Sequence, residues 1–527
     1  MKTITRLGLP FALAMIGACS STLAAQSAPS VTTQSAETST QAPFVFKSSS
    51  RLVLVDVVAT NGKGEPITDL KTEDFVVSED GRSQTVSSFS FQQPSTASSA
   101  TENAAQPLPS GEVTNVPRFK KGDIWNVIVL DVLNSPMLDQ SDTRQQFLKV
   151  LARLPNQPVA IYTLGSQLRL VQDFSSDPAL LKQAIAGLNN KTSLLLDNPK
   201  GGHEGARYPP GYYDMVPDEA KAGILRWEGG NTATRTRTRL QITLDSLNAI
   251  AANLKNLPGR KNLIWVSEGF PFSIEPGSRV QAHEPVTSQD YTVDVSRTAN
   301  ALFDSQIAIY PIDSRGMVLN QVYDPSTKWV DALGRGESEI GINSTVSEQL
   351  GNLDATHTSM QEMAERTGGK AFYNQNEIGK AIVDSMNDGS TYYTLAYSPS
   401  NGNWNGKFRH ISVKSTRSGV KLRYRLGYFA MQPNAYSNQN EKEQASIFEH
   451  AMDISAPAST AVLFHAHIFP PSEKTQNQVV VNYSIAAGLS FKNSPDQLEH
   501  ASVNCAVEVY SAKGEPIKKD ATILTAA

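Results

Sequence analysis

The chain of 527 residues carries 47 Lys and Arg against 51 Asp and Glu, and its formal net charge is -4 with the charges mixed along its length. Without a broad basic field or an acidic tail, nucleic acid is not expected as a partner. With 39% hydrophobic residues it has the composition of a globular protein, long enough for two to four domains of roughly 100–200 residues.

Lys2 and Arg6 precede an apolar run from Leu7 to Ala18. That run is too short to span a bilayer and suits the hydrophobic region of a secretory signal, so residues 1–25 predict export. Two endings stand side by side. Ile16-Gly17-Ala18-Cys19 has the form of a bacterial lipobox, which would make Cys19 a lipidated first residue; Thr22-Leu23-Ala24 or Leu23-Ala24-Ala25 suits an ordinary signal peptidase. The expected location is the periplasm, the outer envelope or the exterior, with a membrane met only through a lipid anchor. Cys505 is the second and last cysteine, so no internal disulfide is expected. It sits in the alternation Val503, Cys505, Val507, Val509 and reads as a small buried side chain.

Residues 26–43, rich in Ser, Thr, Ala and Gln, read as a flexible tether. A small all-β module follows over 44–92: Arg51–Thr60 and Asp74–Ser78 as strands, Asn61–Gly64 as a turn, and Asp80-Gly81 as a hairpin turn before Gln84–Phe91. Ser, Ala and Pro dominate 93–116, a linker. Residues 117–398 then predict an α/β domain. Ile124 to Val132 is a continuous apolar, β-branched run of the kind that lies buried on both faces of a sheet, and it ends in Asp131, Asn134 and Ser135. Open α/β sheets hold ligands at that end of their strands.

Further strands are expected at Val159–Leu164, Leu168–Phe174, Leu263–Val266, Ile307–Ile312, Ala371–Tyr373 and Tyr392–Tyr397. Helices are expected at Asp177–Leu188, along the stripe Leu240, Leu244, Leu247, Ile250, Ala251, Leu254, and at about Ser296–Ser305, Glu348–Arg366 and Glu377–Asn387. This alternation predicts a mostly parallel sheet with helices on both faces, interrupted by insertions near 197–234, 270–295 and 315–345. A β extension at 399–433 and a second β module at 434–527 complete the order. Lys-Gly-Glu-Pro-Ile occurs at Lys63–Ile67 and again at Lys513–Ile517, either as a trace of two similar modules or as one turn chemistry used twice.

Val127–Ser135 (VIVLDVLNS), Leu168–Leu180 (LRLVQDFSSDPAL), Pro258–Pro271 (PGRKNLIWVSEGFP) and Tyr392–Pro399 (YYTLAYSP), with Asp69-Leu70, Asp74-Phe75 and Glu79-Asp80-Gly81 before them, resemble the von Willebrand factor type A domain and the VWA-related proteins of Acidobacteria. The resemblance implies a VWA-like, Rossmann-like α/β domain flanked by small sandwich-like β modules. It also implies a metal-ion-dependent adhesion site, in which a hard cation on oxygen ligands keeps a place for a partner's carboxylate. The residues carried over are Asp131, Asn134, Ser135, Thr243 and Glu268, holding Mg²⁺ or Ca²⁺, with Thr238 and Thr192 as further candidates for the threonine. The chain departs from that pattern in having Leu133 where a hydroxyl stands and Ser267-Glu268-Gly269 where Thr-Asp-Gly is usual. Asp131 and Asn134 could equally cap a turn and the next helix.

No phosphate-binding loop, nucleophile elbow or His-Glu-x-x-His pair occurs, so no enzyme is expected. His465 and His467 share a strand face without an obvious third ligand. Arg235, Arg237 and Arg239 form a local basic comb, and Tyr208, Tyr212 and Tyr213 could anchor a partner. The expected function is protein binding or adhesion in the envelope or outside the cell. A structural or assembly factor that works without metal is the second reading, and a hydrolase the third.

Overall fold

The computed structural model describes residues 51–94, 109–116, 124–196, 216–269, 292–316, 339–431, 452, 462–472, 478–487, 492–493, 499–511 and 515–526. The signal with Cys19, the tether, and the cluster Tyr208–Tyr213 lie outside the described residues.

The chain opens with four strands, β1 (Val53–Thr60), β2 (Phe75–Glu79), β3 (Arg82–Gln84) and β4 (Val86–Gln92), followed by the short β5 (Glu112–Thr114). The α/β region then runs β6 (Trp125–Asp131), α1 (Met137–Val150), β7 (Val159–Leu164), β8 (Leu168–Ser175), α2 (Pro178–Ala186), α3 (Asp218–Leu254), β9 (Lys261–Ser267), α4 (Thr292–Asp304), β10 (Ile307–Asp313), α5 (Glu339–Thr367) and α6 (Ile378–Asp388). After it come β11 (Tyr392–Tyr397), β12 (Phe408–Ser415), β13 (Lys421–Arg423) and β14 (Gly427–Phe429). The last five strands are β15 (Leu463–Phe469), β16 (Val480–Ala487), β17 (Lys492–Asn493), β18 (Glu499–Tyr510) and β19 (Pro516–Ala526).

The central sheet has the order β10-β9-β6-β7-β8. Four of its strands are parallel, and β8 turns back antiparallel on β7. Every residue of β6, β9 and β10 is buried, as apolar runs covered on both faces require. One face packs on α1, α2 and α6 through Phe147, Ile185 and Ile382; the other packs on α3, α4 and α5 through Leu244, Leu247, Leu302 and Met363. Helix α2 begins as its sequence dictates, with the Asp177 carboxylate accepting the Ala179 N–H at 2.8 Å and Pro178 in the first turn. The chain leaves β6 for β7 on one side and later returns to β9 on the other. The sheet therefore reverses direction between β6 and β9, and a crevice opens at their carboxyl ends.

Helix α3 is 37 residues long. At 1.5 Å per residue the stretch from Arg239 to Leu254 covers about 24 Å, the length of β9, so some 30 Å of helix continues past the carboxyl end of the sheet. The sequence reading placed residues 218–234 in a loop insertion. They are helical, and Trp227 there is 64% exposed.

Tyr392–Tyr397 corrects the sequence reading in another way. It was expected inside the α/β domain, but β11 is antiparallel to both β1 and β4. Likewise β12 pairs with β2, and β13 with β1. The first module and residues 392–429 thus form one two-sheet sandwich, β13-β1-β11-β4 over β14-β12-β2-β3, whose faces meet where Phe75 contacts Phe89 and Tyr393. Apolar alternation reports that a strand is covered, not which strand lies beside it. Inside the sandwich the buried Glu79 carboxylate accepts from Tyr397 (2.7 Å), Tyr428 (2.9 Å) and Arg409 (3.1 Å).

Strand β5, expected as linker, pairs with β15, and β15 pairs with β16. Strands β18 and β19 form a long hairpin. The repeated Lys-Gly-Glu-Pro-Ile is one turn chemistry used twice. Asn61 N–H donates to the Glu65 carbonyl at 2.9 Å and Ser511 N–H to the Glu515 carbonyl at 2.7 Å, while each glutamate N–H returns to the Asn61 or Ser511 side-chain oxygen.

Candidate functional site

The register that sets Leu130 beside Val266 brings the end of β6 level with Ser267 at the end of β9. The crevice is built from those two ends. Asp131 is 2% exposed. Its Oδ1 accepts the N–H groups of Leu133 (3.1 Å) and Asn134 (2.9 Å), which closes an Asx turn into α1. Its Oδ2 accepts from Asn134 Nδ2 (2.9 Å), Trp265 Nε1 (3.0 Å) and Ser267 Oγ (2.9 Å). Burial holds this carboxyl above its ordinary value, against the pull of those hydrogen bonds.

Ser135 Oγ accepts the Glu268 N–H at 3.1 Å, and Asn134 Oδ1 accepts from Arg239 Nη1 at 3.3 Å. The structure therefore gathers Asp131, Asn134, Ser135 and Glu268. Thr243, buried on α3, makes no hydrogen bond through Oγ1 among the described residues and stays outside this network. Thr238 Oγ1 donates back to the Thr234 carbonyl at 3.0 Å, and Thr192 lies against Met137.

A second group of charges adjoins the first. The Glu268 and Asp139 carboxyl groups are within hydrogen-bond reach of each other, and Glu268 Oε2 is buried with no donor among the described residues. Two acids so placed do not both carry charge. Burial and then Asp139 push the Glu268 carboxyl up to about 8. Arg315 stands nearby but is held by Asp313, through Nε at 3.0 Å and Nη2 at 2.8 Å. Asp313 also meets His357 Nε2 at 2.9 Å, and the His357 ring stacks on Tyr373 with centroids 4.4 Å apart. Burial works against charge on Asp313, but His357 and Arg315 outweigh it and hold the carboxyl below its ordinary range.

An ionised carboxylate offers about four lone-pair directions. Five donors fill those of Asp131, and Leu133, 2% exposed, joins the core. Asp131 thus does not fit the role of a Mg²⁺ or Ca²⁺ ligand in this arrangement. Among the described residues no three His, Cys, Asp or Glu side chains form a metal-holding group. His467 meets Glu112 at 3.7 Å on the β15 sheet, far along the chain from this crevice.

No protein-family model matches the chain, and no curated protein matches it. Solved structures resemble it at low superposition, among them the following. An aerotolerance-related membrane protein from Bacteroides fragilis is 14% identical over 50% of this chain and 99% of its own, with a TM-score of 0.25. A von Willebrand factor type A protein from Catenulispora acidiphila is 9% identical over 73% and 80%, with a TM-score of 0.24. The vWF domain of a type V pili tip protein from Porphyromonas gingivalis is 11% identical over 44% and 96%, with a TM-score of 0.20. The mixed α/β architecture stands on the chain's own strand order.

Local pattern marks the loop at Asp131 but not what answers it. Trp265 reads as one more apolar residue of a buried strand, and its indole N–H becomes a donor only when β9 is set beside β6. Asp139, Asp313 and His357 carry no local pattern at all. Arg239 was visible as part of the basic comb, and its place above Asn134 follows from the length of α3.

Proposed function

We propose that this chain is a protein-binding module rather than an enzyme, that partners meet it at the carboxyl end of the parallel sheet, and that this contact does not need a metal on Asp131. The observation that carries the reading is the Asp131 carboxylate filled by five donors, beside two large apolar side chains left in water. Leu138 is 57% and Leu194 80% exposed, and the contacts of Met137 with Asn190 and Thr192 bring their segments together. Arg239 adds positive charge at the rim. Adhesion or assembly in the envelope is the setting that the export signal and the VWA-like pattern support. Among the described residues no helix is long and apolar enough to cross a membrane.

A second reading rests on Glu268. Its unpartnered Oε2 beside Asp139 is a carboxyl pair that a proton or a cation would satisfy, so Mg²⁺ or Ca²⁺ held by Glu268 and Asp139, with Asn134 and Ser135 near, is the metal-dependent form of the same function.

Calorimetric titration of Mg²⁺, Mn²⁺ and Ca²⁺ into the protein, its Asp131→Asn variant and its Glu268→Gln variant separates the two. Saturable binding lost in Glu268→Gln would establish the second reading, and no binding in any of the three the first. For the contact surface, a photo-crosslinking residue placed at Leu194 is compared with one at Ile517, 63% exposed, in extracts of the native cells. A discrete adduct at Leu194 that survives EDTA is expected; equal labelling at both positions would remove the carboxyl end as the contact surface.

A further inference from the structure

A small cavity lies at the opposite, amino end of the parallel sheet, where the sandwich docks on the α/β domain. It is bounded by Leu54 and Asp56 of β1, Arg260 before β9, Phe303 at the end of α4, Gln306 before β10, and Arg425 before β14. Arg260 is 2% exposed. Its Nη2 donates to the Tyr310 hydroxyl at 3.0 Å and to the Gly368 carbonyl at 2.6 Å, while its Nε is buried with no acceptor among the described residues. The Arg425 guanidinium lies over the Phe303 ring, 5.4 Å from its centroid, and its Nε too is buried without an acceptor.

The one carboxylate in the lining is already held by neutral donors. Asp56 accepts from Thr394 Oγ1 at 2.6 Å and from Gln306 Nε2 at 3.2 and 3.1 Å, and neither guanidinium forms an ion pair with it. Lys261, the neighbour of Arg260, adds a third cation, 1% exposed. Two arginines and one aspartate therefore line the cavity, in a region of low dielectric where unbalanced charge is costly. Burial presses the Arg425 guanidinium below its ordinary value, while at Arg260 burial is outweighed by Tyr310, Asp56 and Asp388, which hold its guanidinium above.

We propose that this cavity binds a single monoatomic anion of the halide class, held by Arg260 and Arg425. Its volume of about 10 Å³ favours a monoatomic guest over a phosphate or an organic carboxylate. Charge-assisted hydrogen bonds from the two guanidinium groups supply the recognition. Because Asp56 and Arg425 belong to the sandwich segments while Arg260, Phe303 and Gln306 belong to the α/β domain, the anion clips the two together.

The test is thermal unfolding of the full chain at fixed pH and ionic strength while gluconate is replaced by chloride or bromide. A saturable rise in Tm is expected, absent in Arg425→Gln and unchanged in Arg417→Gln, a surface variant on a different edge. Asp56→Asn removes the repelling charge and is expected to lower the half-saturating bromide concentration by about threefold or more, a change that a purely structural role for Asp56 would not produce. Crystals soaked in bromide should show an anomalous peak between Arg260 and Arg425. A Tm indifferent to the halide, the same response in Arg425→Gln, or a peak of water only would overturn the proposal.

Discussion

The two ends of the central sheet solve opposite electrostatic problems. At the carboxyl end a single buried carboxylate, Asp131, faces five donors, three of them from neutral side chains, and no lone pair is left over. At the amino end Arg260, Lys261 and Arg425 crowd one carboxylate, Asp56, that neutral donors already occupy. A saturated buried group fixes its neighbours in one arrangement and resists exchange; an unsaturated one favours a guest. At the crevice in which α/β folds usually hold ligands the central carboxylate is thus already saturated, and the proposed contact lies at its rim.

The comparison breaks most visibly at Asp131. Asp131→Ala strands the Trp265 indole N–H, the Ser267 hydroxyl, the Asn134 amide and two backbone N–H groups in a buried space, and is expected to cost about 3–5 kcal/mol in urea unfolding. A loss below about 1 kcal/mol would mean that the network closes with water at little cost.

The reverse sign is expected at the amino end. Burial lowers the Lys261 ammonium to about 8, so the folded state binds its proton less tightly than the unfolded chain does. That contribution to stability is present above the ordinary lysine value and lost as pH falls through about 8. Lys261→Met is therefore expected to raise stability at pH 7 by about 2–3 kcal/mol, with the advantage over the parent shrinking as pH climbs toward the lysine range. Denaturant midpoints at several pH values read this directly, and a pH-independent difference would mark it as packing alone.

Trp265→Phe keeps the ring volume in the core and deletes one donor to Asp131. A loss of about 1–2 kcal/mol is expected, with the Asp131 carboxyl titrating at higher pH by NMR. An unshifted titration would show that the remaining four donors set its charge by themselves.

Much of the site's scaffold was readable from local pattern. The apolar run of β6, the polar atoms at its end, the stripe from Leu240 to Leu254 and the buried strand around Leu263–Val266 all fall where local pattern places them. What local pattern lacks is an address. Nothing in Tyr392–Tyr397 says that it pairs with β1 and β4, and nothing in Asp56, Arg260 and Arg425 says that three distant segments share one cavity. Leu133 stands where the resemblance would place a hydroxyl, and its side chain enters the core.

The sequence by itself determined which segments are buried and where the chain must turn, because burial and turn chemistry act over a few residues. Tertiary structure alone decided that Asp131 meets Trp265 and Ser267 from 134 and 136 residues away, and that Arg260 and Arg425 are brought to one seam. Hydrogen bonds and charges act at the distance between atoms, and only the packed sheet sets that distance.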